Sequence, residues 1–125
     1  CNFVKSFVML IGKQTPLNDT LLEALKIFMP NARLVSPRSF LAPDFMTGHS
    51  SAVVFVNLTD LTNEESDILT KLRTQFPGVK IVGMHTFMVP QMKDQILNRG
   101  FDAYLSFFDF SDDIEEVLES FGVYS

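Results

Sequence analysis

Apolar residues along this chain of 125 gather into five short runs, separated by longer stretches in which apolar and polar positions mix at helical spacing. The runs are Phe7-Val8-Met9-Leu10-Ile11, Arg33-Leu34-Val35, Ala52-Val53-Val54-Phe55-Val56, Val79-Lys80-Ile81-Val82-Gly83-Met84 and Ala103-Tyr104-Leu105. They are rich in β-branched or aromatic residues, and two are apolar without interruption. Strands buried on both faces look like this, and such strands belong to parallel sheets.

The intervening stretches carry helix punctuation. Thr15-Pro16 places a cap residue before a proline at the first helical position, and Leu21, Leu22, Leu25 and Phe28 follow at helical spacing, which predicts a helix to about Met29. Arg38 to Thr47 is broken by Pro43, so the second helix is expected to be short or irregular. Thr62-Asn63-Glu64-Glu65 reads as a capping box for a third helix through Ile68, Leu69 and Leu72 to Phe76, stopped by Pro77-Gly78. Val89-Pro90 opens a fourth with Met92, Ile96 and Leu97 on one face and Gly100 as its stop. Ser111, with Asp112 and Asp113 complementing the dipole, opens a fifth whose buried stripe is Ile114, Val117, Leu118 and Phe121. Five βα units with right-handed crossovers give an α/β three-layer sandwich. At this length the expected wiring is a flavodoxin-like five-stranded parallel sheet in order 2-1-3-4-5 with five helices.

With 46% hydrophobic residues and 13 Phe the chain can bury a sizeable core, and no repeat or linker divides it, so residues 1–125 are expected to form one domain. Ten basic against 15 acidic residues, net −5, leave no footprint for direct nucleic-acid binding or for an anionic membrane surface. The single cysteine, Cys1, cannot form an internal disulfide or a cysteine metal cluster, and no run is long enough to span a bilayer; a cytoplasmic location is the expectation. A start at Cys1 rather than Met suggests Met removal, cleavage of a tag or a fragment.

In such a fold chemistry gathers at the carboxyl ends of the strands. Here those ends carry Gly12-Lys13-Gln14, Asn57-Leu58-Thr59-Asp60, His85-Thr86 and Ser106-Phe107-Phe108, a set with one acid, Asp60, and one histidine. A site that holds Mg²⁺ for hydrolysis or phosphoryl transfer wants two or three convergent carboxylates, since the hard cation needs anionic oxygens. His49 precedes the third strand and His85 ends the fourth, so the two lie at opposite ends of the sheet and cannot share a metal.

Three stretches resemble the receiver domain of two-component response regulators, and the resemblance covers essentially the whole chain. Ala52-Val53-Val54-Phe55-Val56-Asn57-Leu58 is similar to the strand ending at the phosphoaccepting Asp. Lys80-Ile81-Val82-Gly83-Met84-His85 is similar to the strand ending at a Thr or Ser, and Gly100-Phe101-Asp102-Ala103-Tyr104-Leu105-Ser106 to the segment leading to the receiver lysine. The resemblance implies that each catalytic position has changed. Asn57 stands for the phosphoacceptor, Gly12 and Lys13 for the acidic pair that holds Mg²⁺, His85 for the hydroxyl residue, and Phe107 for the lysine. A carboxamide is no carboxylate nucleophile, and Lys13 repels a cation. Tyr104 stands for the switch aromatic; either His85 holds it in one rotamer or it is a half-buried packing residue.

The reading is a pseudo-receiver, neither an enzyme nor dependent on a cofactor, that acts through a protein partner or an attached domain. The family's contact face of helix four, strand five and helix five is one route to a homodimer. Some of Phe87, Met88, Phe107, Phe108 and Phe110 are expected to fill the altered pocket, with Phe108 and Phe110 as the candidate interaction surface. Two alternatives stand beside it. Asp60 is a displaced phosphoacceptor, or the domain takes a small ligand such as a flavin, for which Thr15 and Thr20 offer hydroxyls but no glycine-rich turn is present. Gly12-Lys13-Gln14-Thr15 lacks the upstream glycine and the hydroxyl directly after lysine that a nucleoside-triphosphate loop requires.

Overall fold

The structure, a computed structural model, describes residues 7–45, 51–86 and 90–122. Its elements alternate in chain order: β1 (Phe7–Ile11), α1 (Pro16–Phe28), β2 (Arg33–Val35), α2 (Pro37–Leu41), β3 (Ser51–Asn57), a 3₁₀ turn (Leu58–Asp60), α3 (Glu65–Gln75), β4 (Lys80–His85), α4 (Pro90–Asn98), β5 (Ala103–Ser106) and α5 (Phe110–Ser120). All paired strands are parallel and lie in the order β2-β1-β3-β4-β5, as the alternation of runs and helices implies. In register, Ile11 lies beside Val35 and Val56, and Asn57 beside Met84, so the strand ends assemble along one edge.

The uninterrupted apolar runs divide between two cores by the period of two. Val8, Leu10, Val53, Phe55, Val82, Met84 and Leu105 join Leu21 and Leu25 of α1 and Phe110, Ile114 and Leu118 of α5. Met9, Ile11, Val54, Val56, Ile81 and Tyr104 point the other way, against Phe40 of α2, Ile68 and Leu72 of α3 and Ile96 of α4. Burial on both faces is the physical reason these strands show no polar alternation.

Helix ends refine the sequence reading. Thr15 caps α1, its hydroxyl accepting from the Asn18 N–H at 3.1 Å, with Pro16 next. Ser36-Pro37 repeats that device, so α2 begins one residue before the expected Arg38; it ends at Leu41, ahead of Pro43. The capping box of α3 forms by half and one residue early. Glu64, not Glu65, accepts from the Thr62 and Asn63 N–H groups at 2.8 and 3.2 Å, bonds that hold its carboxyl below the usual range, and no side chain caps the helix. α5 starts at Phe110 rather than Ser111, because burial of the Phe110 ring pulls that residue into the first turn.

Gly100 closes the turn after α4 at φ +110°, a conformation that costs any other residue strain. Arg73 of α3 holds this turn. Its guanidinium donates to the Val79 and Gly100 carbonyls and pairs with Asp102 at 3.1 Å, whose carboxylate also accepts from the Ile81 N–H at 2.8 Å. The acid of the Gly100-Phe101-Asp102 stretch is therefore a tie between α3, β4 and β5. Among the described residues no helix is long and apolar enough to cross a membrane.

Candidate functional site at the strand ends

Asn57 is the last residue of β3, and strand parity turns it toward α1. There it meets a residue that the sequence reading did not single out: Asn18, fully buried in the first turn of α1. The Asn57 Nδ2 donates to Asn18 Oδ1 at 2.8 Å. Asn18 Nδ2 in turn donates to Asp60 Oδ2 at 2.7 Å and to the Lys13 carbonyl at 2.6 Å. Asp60 Oδ2 also accepts from the Lys13 N–H at 3.0 Å, and Asn57 Oδ1 accepts from the Thr59 N–H at 3.1 Å. The network closes on itself.

Both amide orientations follow from its ends. The Thr59 N–H can only donate, so Asn57 presents its oxygen there and its NH₂ to Asn18. The Lys13 carbonyl can only accept, so Asn18 presents its NH₂ there and its oxygen to Asn57. Among the described residues no buried side-chain nitrogen or oxygen lacks a partner.

Gly12 makes room for this arrangement. A Cβ at that position would lie 2.7 Å from Asn18 Nδ2 and 3.0 Å from Asp60 Oδ2. The absence of a side chain at residue 12 and the presence of an amide at residue 18 are thus one packing solution. Helical spacing does hold a sign of it: Asn18 lies three, four and seven residues before Leu21, Leu22 and Leu25 and so shares their buried face, although its chain neighbours are exposed.

His85 ends β4, half-buried, with its ring centroid 6.3 Å from that of Tyr104. Burial pushes its pKa below the ordinary 6.5; Glu65 of α3 opposes the shift and Arg99 adds to it, and these two form an ion pair at 3.0 Å. Tyr104 is buried against the core on the α2, α3 and α4 side, and burial raises its phenol pKa. Thr86, next along, lies 3.4 Å from the Thr59 hydroxyl, the contact that links the polar network to the end of β4.

The candidate aromatics part company. Phe107 is half-buried against the α1 and α5 core, Phe108 is 73% exposed, and Phe110 is 2% exposed with its ring edge-on to Phe55 at 5.9 Å. Phe110 is therefore corrected from surface to core: it is the first residue of α5, and the helix turns its ring under the sheet. Between Gly12, Asn57 and Asp60 it is the Asn18 amide that packs. Cys1, His49, Phe87, Met88 and Val89 lie outside the described residues.

Neither a protein-family model nor a curated protein matches the sequence, whereas solved structures match it over most of its length. Response regulator RcsB of Salmonella typhimurium superposes with a TM-score of 0.71 at 9% identity, covering 98% of this chain and 63% of that one. The chain has the receiver fold. A response regulator in red light signalling of R. palustris matches with a TM-score of 0.64 at 14% identity over 90% of this chain and 92% of its own. A CheY-like receiver domain protein of Methanospirillum hungatei matches at 0.62 and 16%, over 94% and 96%. The chain spans less than two thirds of the RcsB chain, and identities this low establish the fold alone.

That fold implies a divalent cation at the strand ends. The residues present do not fit one: Gly12 brings no donor, Lys13 brings a positive charge, and the Asn57 amide is committed to Asn18 and Thr59. Asp60 is the acid that meets Lys13 and Asn18 here, and its Oδ2 already accepts two N–H bonds. A hard cation needs more anionic oxygen than this set offers.

Proposed function

We propose that this chain is a one-domain receiver-like module of two-component or related signalling that works without phosphorylation, by protein contact, in the cytoplasm. The observation that carries the reading is the closed network around Asn57. An acyl phosphate needs a free carboxylate nucleophile, a cation to bind its oxygens and a lysine to pair with it; the corresponding positions hold a hydrogen-bonded amide, Gly12 with Lys13, and Phe107. Phosphorylation at Asp60 is disfavoured as well, because two donors, the Lys13 N–H and the buried Asn18 amide, hold its Oδ2 and fix the carboxylate.

The contact surface that fits this role runs over α4, β5 and α5. A shallow groove there has Lys93 and Leu97 on its α4 wall, Tyr104 in its floor, and Asp113, Glu116 and Val117 on its α5 wall. Opposite charges on the two walls suit a second copy related by a two-fold axis, Lys93 of each facing the acids of the other.

Acetyl phosphate with Mg²⁺ followed by intact-mass spectrometry tests the reading. Neither the wild-type chain nor Asn57→Asp is expected to gain a phosphoryl group, the latter because Gly12, Lys13 and Phe107 remain. Asn57→Asp is also expected to lose about 1–3 kcal/mol in a denaturant titration, since it replaces a donor to Asn18 Oδ1 with a second acceptor. A stable phospho-adduct on wild type overturns the proposal.

A further inference from the structure

The Asn18 side chain does more than fill space. Its NH₂ group sends one hydrogen to a carboxylate oxygen, Asp60 Oδ2, and the other to a main-chain carbonyl, that of Lys13, at 2.7 and 2.6 Å. A carboxylate and a carbonyl converging on one buried point is a donor set that hard cations favour. Here a neutral amide stands at that point, its two hydrogens supplying the partial positive charge.

We propose that the Asn18 carboxamide is a built-in substitute for a divalent cation, holding the β1–α1 connection, the first turn of α1 and the turn after β3 together with no ion bound. Three features support this. Asn18 is fully buried, so the amide end of each bond is shielded from competing water, while Asp60 is half-buried and Lys13 exposed. Its oxygen accepts from Asn57, which lets an amide rather than an acid end β3; a carboxylate there would face Asn18 Oδ1 without a proton between them. Gly12 leaves the amide its volume, as the 2.7 Å approach of a Cβ would deny it. The four positions are interdependent, and Asn18 is the positioning residue among them. The inference deepens the phosphorylation-independent reading and rests on it.

Replacing the amide by an acid should convert the tie into a cation site. Asn18→Asp sets a second carboxylate against Asp60 with the Lys13 carbonyl alongside. In chelator its melting temperature is expected to fall by several degrees below that of wild type, and Mg²⁺ or Mn²⁺ is expected to restore most of the loss. The double variant Asn18→Asp, Asp60→Asn removes one carboxylate and should lose that rescue, while wild type should melt at the same temperature in chelator and in either salt. A variant that melts like wild type in chelator, that ignores the cation, or that is rescued equally without Asp60 overturns the inference. A second measurement needs no variant: in wild type the Lys13 and Thr59 amide protons should exchange slowly in chelator, and fast exchange slowed by Mg²⁺ overturns it even if Asn18→Asp does not fold. The two proposals fail separately, since phosphorylation of wild type by acetyl phosphate sinks the signalling reading, whereas cation indifference of Asn18→Asp sinks this one.

Discussion

The ends of β1 and β3 and the connection from β5 to α5 lie along the same edge of the sheet, yet they meet water in opposite ways. At β1 and β3 polar side chains are turned inward and bonded to one another: Asn18 and Asn57 are buried, and their amides bond to each other, to the half-buried Asp60 and to the main chain. At β5 the apolar groups are spread from inside to outside, with Phe110 in the core, Phe107 at its margin and Phe108 in solvent. A polar cluster bonded to itself offers little to a ligand, because a newcomer must first break bonds already made at buried amides. An aromatic ring left in water is the reverse, since covering it gains free energy. On the function proposed above, contact falls to the β5 and α5 side, while the hydrogen bonds at the ends of β1 and β3 brace those elements against α1.

The strongest way to break this contrast is to remove the ring that anchors the β5 side. Phe110→Ala leaves a cavity beneath Phe55 and is expected to cost about 3–5 kcal/mol in urea unfolding; a loss below about 1 kcal/mol would place the ring outside the core. Next comes the brace. Gly12→Ala drives a methyl to 2.7 Å from Asn18 Nδ2, between groups fixed by four bonds, and an overpacking loss of about 1–3 kcal/mol is expected. Faster hydrogen exchange at Lys13 and Thr59 than at β4 should accompany it.

A smaller effect concerns His85, which borders both regions. Its folded pKa lies below 6.5 chiefly because burial disfavours the charged ring, so the unfolded chain binds the proton more readily. Stability should be complete above pH about 6.5 and decline as pH falls from there through the folded pKa. In His85→Gln that part of the slope should vanish; an unchanged profile would assign it to other groups. Phe108→Ala should have the least effect on folding, within about 0.5 kcal/mol of wild type by thermal melting. If the ring anchors a contact, sedimentation should show self-association or partner binding weakened by about 2 kcal/mol or more. Unaltered association would confine the contact surface to the α4, β5 and α5 groove.

The layout of strands and helices was legible before any coordinate, and so was the sheet order. Val8 to Ile11 and Val53 to Val56 are buried on both faces, and such runs alternating with helical stretches point to a covered parallel sheet; Thr15-Pro16 and Gly100 mark a helix start and a helix end by local backbone geometry. That Gly12, Lys13, Asn57 and Phe107 stand at or just past the strand ends is likewise a matter of residue identity at positions that the strands define. The face of Asn18 was legible too, since it stands three, four and seven residues before Leu21, Leu22 and Leu25, but its partners were not: Asp60 and Asn57 are 42 and 39 positions away. Phe110 failed for a similar reason, since one residue's shift in the start of α5 decides whether a ring meets the core or water.

By itself, then, the sequence determined what is local or periodic: which segments extend, which coil, how many of each there are, and which side chains are missing from the strand ends. Only the tertiary structure decided which polar atoms face each other across β1, α1 and β3, and which of Phe107, Phe108 and Phe110 is left in water. Periodicity assigns a side chain to a face. A hydrogen bond requires two atoms within about 3 Å, and that separation between residues far apart in the chain is fixed by how the layers pack.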